Sequence, residues 1–298
     1  MLSDQGAFVA WRQARQDAVE AALSEWVSAD APAGLGDAMR YAVLDGGKRL
    51  RPLLVLAASE AVAGSAEAAM RAACAVELIH AYSLVHDDMP CMDNDVLRRG
   101  KPTVHVRYGE AQALLAGDAL QALAFELLVP DDGSVGPAMA AQLCRQMARA
   151  AGANGMAGGQ AVDLASVGHV LDQPALEAMH RKKTGALLQA SVLMGAATGQ
   201  ADRDVLVHLA RYGASLGLAF QVVDDVLDVT ADSATLGKTA GKDAAADKPT
   251  FVSLLGLEAA QAYADSVIDE AHQALDHSGL PDAGILHALA DWVGRRAY

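Results

Sequence analysis

Aromatic side chains are scarce in this 298-residue chain, at 4% of positions, although hydrophobic residues make up 52%. That scarcity argues against a β-sandwich, whose core draws on aromatic and β-branched residues, and the abundant alanine and leucine suit closely packed helices. Cysteine is scarcer still. Cys74, Cys91 and Cys144 are odd in number and show no paired spacing, which argues against a disulfide framework or a zinc site and points to a reducing cytosol. Basic residues are outnumbered by acidic ones, 23 to 37, so the net charge is −14 and no basic face is evident to hold a nucleic acid. The first twenty residues lack the apolar core behind basic residues that marks a signal peptide, and no uninterrupted apolar stretch is long enough to span a bilayer. The expectation is a soluble cytoplasmic protein with no nucleic-acid partner and no membrane span.

What the chain does have is helical periodicity. "GLGDAMRYAVLDGGKRLRP" predicts a helix stopped by Gly46-Gly47, with Pro52 opening the next. Several later segments are apolar nearly all round, as helices at the centre of a bundle are. No segment alternates with period two between turn signals, so strands are not expected. No linker rich in Pro, Gly and Ser divides the chain, which predicts one all-α domain over 1–298. The lysine-dotted stretch 231–250 reads as a surface loop or, more sharply, as a lid that carries lysines toward an anion.

The chemistry concentrates in "SLVHDDMPCMDNDVLRRGKPTVH", residues 83–105. Asp87 and Asp88 close an apolar helix, and Pro90 then bends the chain, giving Asp93 a route back toward Asp87. Clustered carboxylates repel one another unless a cation joins them, and hard oxygen donors suit Mg²⁺ shared with substrate phosphates. A solvated acidic helix end does not explain the second cluster. "QVVDDVLDV" places Asp224 and Asp228 at i,i+4, with Gln221 one turn earlier and Asp225 alongside, again after an apolar helix. If the two helices face each other, five or six carboxylates converge on an apolar-walled cavity.

Basic residues complete the pattern. Lys48 and Arg51 follow the glycine pair, Arg98 and Arg99 follow the first acid cluster, and Lys183-Thr184 lie in "RKKTG". Singly, each reads as a helix terminus or a surface charge, and Lys182 reads as solvated. As a set they could clamp two diphosphates, arginine by planar bidentate contacts and lysine as a point charge. His80 lies two turns before Asp87 on the same helix face, within reach of the same ligand.

These segments resemble the trans-isoprenyl diphosphate synthases, most closely the bacterial farnesyl diphosphate synthases. "HDDMPCMDNDVLRRGKPTVH" is similar to the family's first aspartate-rich motif in its DDxxxxD form, and "AFQVVDDVLDV" to its second. "GGKRLRP", "GEAQALLAGDAL", "GMAGGQAVDL", "KKTGALL" and "LGKTAGKDAAADKPTFVSLLG" appear in the family's order. The likeness is close over roughly residues 35–260. It implies an isoprenoid-synthase helical fold and a homodimer with three Mg²⁺ per active site. The metal would be held by Asp87 and Asp93 with Asp88 beside them, and by Asp224, Asp225 and Asp228. An allylic diphosphate would meet Arg98, Lys183, Thr184, Gln221 and Lys238, and isopentenyl diphosphate would meet Lys48, Arg51, His80 and Arg99. Asn94 departs from the aspartate common in related sequences, outside the DDxxxxD positions.

The implied reaction is ionisation of the allylic diphosphate followed by attack of the isopentenyl double bond, so no nucleophilic triad is needed. Tyr82 and Ser83 precede Asp87 by five and four positions, roughly 6–8 Å along a helix axis. A bulky Tyr82 there could form the floor of the cavity and stop growth at the C15 product, with C10 or C20 as the alternatives. A terpene cyclase would have no use for "GGKRLRP" or His80. A phosphohydrolase built on His86-Asp87 would need further histidines at matching positions, and a non-catalytic partner subunit would have lost aspartates from one motif.

Overall fold

The computed structural model describes residues 2–44, 46–230 and 249–295, with side chains from residue 5 onward. Helices succeed one another as α1 (Leu2–Trp26), α2 (Leu35–Val43), α3 (Leu50–Ala61), α4 (Ala66–Asp87), α5 (Val104–Tyr108), α6 (Glu110–Leu128), α7 (Pro137–Ala151) and α8 (Met156–Ala165). Then come α9 (Gln173–His180), a π-turn (Arg181–Gly185), α10 (Ala186–Ala197), α11 (Arg203–Thr230), α12 (Phe251–Leu255), α13 (Leu257–Asp276) and α14 (Gly284–Gly294). The all-α expectation holds, and α2 ends before the glycine pair as predicted.

Side chains at the helix starts show why the chain turns where it does. The Ser65 hydroxyl accepts from the Ala68 amide, Asp172 accepts from Ala175, and Thr250 and Ser253 form a reciprocal capping box at α12. Two cores form around two long helices. One collects Ile79 and Leu78 of α4 with Leu120 of α6 and Leu143 of α7. The other collects Leu216 and Val223 of α11 with Val267 of α13 and Leu289 of α14. Helices α3 and α10 belong to both. Val55 and Met194 serve the first core, Leu54 and Val192 the second, which is why these two helices are apolar all round.

Two expectations need correction. The first is a pair of two-residue strands, β1 (Leu97–Arg98) and β2 (Lys101–Pro102), joined antiparallel. Arg99 and Gly100 make the turn at φ 51° and 74°, both positive as a type I′ hairpin requires. This ribbon is too short to show alternation. The second is the apolar length of the helices. Once an occasional charge is allowed, α4, α6 and α11 are long and apolar enough to cross a membrane. In α4 that surface is largely consumed inside the protein, 67% of its apolar window being buried. The helix also carries Glu77, which is buried and paired with Arg49 at 2.6 Å.

Candidate active site

The two aspartate motifs end the central helix of each core. In the first, the Asp93 amide donates to the Asp87 carbonyl at 2.9 Å and the Asp95 amide donates to the Asp88 carbonyl at 3.1 Å. The chain therefore does double back after Pro90, as expected. Asn94 sits in this loop at φ 51°, a left-handed conformation that asparagine tolerates better than most residues. That is a physical reason for the departure at this position.

Asp87 and Asp88 have different surroundings. Asp87 lines a cavity of about 950 Å³ together with His80, Arg51, Lys183 and Thr184. Burial pushes its carboxyl up to about 6; Asp93 and Asp88 add to the rise, and Lys183 and Arg98 oppose it. Asp88 is 3% exposed, and both of its oxygens are taken by Arg98, whose Nε donates at 3.0 and 2.9 Å while a terminal nitrogen donates at 2.6 Å. Burial alone would weaken the Arg98 charge, but the Asp88 pairing prevails and its pKa is raised. Asp88 in this geometry positions Arg98.

The hairpin turn separates the two arginines. Arg98 folds back onto Asp88, while Arg99 donates to the Gly46 carbonyl at 2.9 Å and so joins the "GGKR" loop. That loop is anchored by Arg49, which the sequence reading left unassigned. It spans Glu77 on α4 and Glu20 on α1, both at 2.6 Å. Lys48 itself is exposed. Burial lowers the Arg51 pKa to about 10, and burial among Arg51, Arg99, Arg98 and Arg49 holds His80 well below the usual imidazole range. His80 is therefore a neutral imidazole among cations.

The second motif joins the cavity through a hydrogen-bond chain. Thr184 donates to the Gln221 side-chain oxygen at 3.2 Å, and the Gln221 amide donates to Asp225 at 2.9 Å. The other Asp225 oxygen accepts the Phe251 backbone N–H at 2.8 Å, tying α11 to α12. Asp225 is 3% exposed and held in this scaffold. Asp224 is partly exposed and Asp228 buried on the same helix. Lys238 and most of the expected lid lie outside the described residues.

Lys183 is held by a residue the sequence reading did not name. Its ammonium donates to Asp163 of α8 at 2.6 Å. Helix α8 approaches the π-turn so closely at Gly159 that a Cβ there would collide with the Lys183 backbone. "GMAGGQAVDL" carried the signal: its glycine pair and its Gln160–Asp163 spacing of i,i+3 put small and polar groups on one helix face. Tyr82 and Ser83 line the same cavity, as do Met92, Met156 and Leu164. Burial raises the Tyr82 pKa, the Gln121 side chain hydrogen-bonds its hydroxyl, and the His86 ring meets it edge-on at 5.7 Å.

A polyprenyl synthetase model matches residues 32–278. The chain belongs to that family. It is 48% identical over 279 residues to a chloroplastic geranylgeranyl pyrophosphate synthase of Capsicum annuum, covering 93% of this chain and 76% of the relative. It is 50% identical over 271 residues to a probable farnesyl diphosphate synthase of Sinorhizobium fredii, covering 89% and 81%. The solved geranyltransferase of Helicobacter pylori, complexed with magnesium and isoprenyl diphosphate, superposes with a TM-score of 0.83 at 34% identity, covering 96% of each chain. The chain is accordingly a short-chain prenyltransferase of isoprenoid biosynthesis.

Proposed function

We propose that this enzyme condenses isopentenyl diphosphate with dimethylallyl or geranyl diphosphate and releases the C15 product, farnesyl diphosphate. The observation that carries the reading is the polarity of one cavity. Its lining combines charged and polar groups, Asp87, Lys183, Thr184, Arg51 and His80, with apolar ones, Tyr82, Met92, Met156 and the more exposed Leu164. A diphosphate with an isoprenoid tail has the same two-part character.

Magnesium fits the donor set. Asp87 and Asp93 offer the hard carboxylate oxygens that Mg²⁺ prefers. Among the described residues no three His, Cys, Asp or Glu side chains converge to hold an ion by themselves. Mg²⁺ commonly completes its shell with substrate phosphates and water. Asp87, Asp93 and Asp224 are the residues that would hold the metal, with Asp228 behind them, and the metal would act there as a Lewis acid on departing pyrophosphate.

The chain's own groups do the rest. Arg98 and Lys183, fixed by Asp88 and Asp163, present positive charge where the leaving diphosphate gathers negative charge. The apolar walls keep water from the allylic cation. Arg51, Arg99 and Lys48 would hold isopentenyl diphosphate, with neutral His80 at its edge. We assign the proton lost in the last step to the released pyrophosphate. A homodimer, a single domain over 1–298 and a cytoplasmic location complete the proposal.

A product assay with Mg²⁺, labelled isopentenyl diphosphate and each starter tests it. The expected result is a C15 product from both starters, lost on adding EDTA, with Tyr82→Ala shifting the product to C20 or longer. A C20 product from the unaltered enzyme, the reading favoured by the Capsicum relative, would move the stop away from Tyr82. Absence of any condensation would overturn the proposal.

A further inference from the structure

Gln160 of α8 is 9% exposed and lines the same cavity as Asp87 and Lys183. Neither its amide oxygen nor its amide nitrogen has a hydrogen-bond partner, and both are sealed from solvent. A buried amide with no partner is costly, and proteins retain such groups where a ligand completes them. Its neighbours sharpen the point. Asp163, one turn on along α8, holds Lys183, and Gly159 packs α8 onto the Lys183 backbone. Gln160 therefore lines the cavity from a helix that is packed and ion-paired onto the Lys183 turn.

We propose that the Gln160 carboxamide contacts the allylic substrate at its diphosphate-bearing carbon. The amide N–H group donates to the diphosphate and the amide oxygen faces the carbon on which positive charge develops. A neutral amide suits this place because its oxygen stabilises a cation by its dipole without competing as a strong nucleophile. The assignment rests on the prenyl-transfer reading of the site.

The test compares Gln160→Met, which keeps length and removes both polar atoms, with the unaltered enzyme in three measurements. Because the amide lacks partners in the unliganded protein, its removal is expected to leave the Tm equal or raise it by about 2–4 °C. The geranyl diphosphate kcat/KM is expected to fall about 10–100-fold, as for loss of one preorganised dipole, while the isopentenyl diphosphate KM stays within about threefold. Geranyl diphosphate with Mg²⁺ should raise the Tm of the unaltered protein more than that of the variant. An unchanged geranyl diphosphate kcat/KM, or a lowered Tm with equal stabilisation by geranyl diphosphate, would overturn the proposal and leave Gln160 a packing residue. If the unaltered enzyme makes no prenyl product, the functional reading fails on its own, and the ligand-induced Tm shift still decides whether Gln160 meets an allylic diphosphate.

Discussion

The two aspartate motifs solve the same problem with different backbones. Each begins with an adjacent pair, and in each the second member is buried to 3% exposure and spent on scaffolding. Asp88 holds Arg98, and Asp225 holds Gln221 and the start of α12. In each, the first member stays partly exposed. The difference lies in the backbone beyond the pair. After Asp88 the chain leaves the helix at Pro90 and returns by the Asp93 to Asp87 hydrogen bond, whereas α11 runs on unbroken to Thr230. A pair of aspartates is thus a division of labour, in which one carboxylate stays partly exposed and its neighbour fixes the surroundings.

The largest effects should separate the two members. Asp87→Ala or Asp224→Ala is expected to cut kcat by about 10³-fold, several kcal/mol of charge stabilisation, without lowering the Tm. Removing a carboxylate from a crowded acidic site relieves repulsion, so an equal or higher Tm is the expected sign. Asp88→Asn and Asp225→Asn should behave the other way in stability. Each breaks a buried polar network and is expected to cost about 2–4 kcal/mol, read as a lower denaturation midpoint, with activity falling as a consequence. Equal Tm changes across all four variants would break the comparison.

Acid should distinguish the two halves. His180 lies beneath the second motif, 6% exposed against the Phe251 ring, with both ring nitrogens lacking partners. Burial lowers its pKa to about 4, so the folded state refuses a proton that the unfolded state binds below about 6.5. Stability from this group is complete above pH 6.5 and is lost as pH falls toward 4, the loss amounting to about 2 kcal/mol at pH 5. Protonation of Asp87, whose pKa is pushed up to about 6, works the other way over the same range, so the readout is a difference. Between pH 7 and pH 5, urea denaturation should show the unaltered protein losing about 2 kcal/mol more stability, or gaining that much less, than His180→Leu. The smallest effect concerns Lys183. Asp163→Asn should leave the lysine charged but loosely placed, raising the allylic KM about tenfold, or about 1.4 kcal/mol, with little change in the isopentenyl KM.

Much of this was legible in the chain because the motifs are local. The doubling back at Pro90 was foreseeable from proline's missing N–H, and the Gln221, Asp224 and Asp228 face from helical spacing. The Arg99-Gly100 hairpin was not legible, because two residues per strand are too few to show a period. Asp163 and Gln160 were missed because each gains meaning only from a helix 20 or more residues away. Arg49 was passed over between Lys48 and Arg51, although it is the member of that triplet that carries the buried ion pairs.

Residue types and spacing by themselves determined an all-α chain with two acid clusters at helix ends and basic groups in a fixed order. Tertiary packing alone decided which carboxylate of each pair is buried in the scaffold and which arginine turns toward which loop. It also decided which lysine is held by α8. The physical reason is that spacing sets direction along one helix, while burial, ion pairing and pKa depend on what a second helix places within about 3 Å.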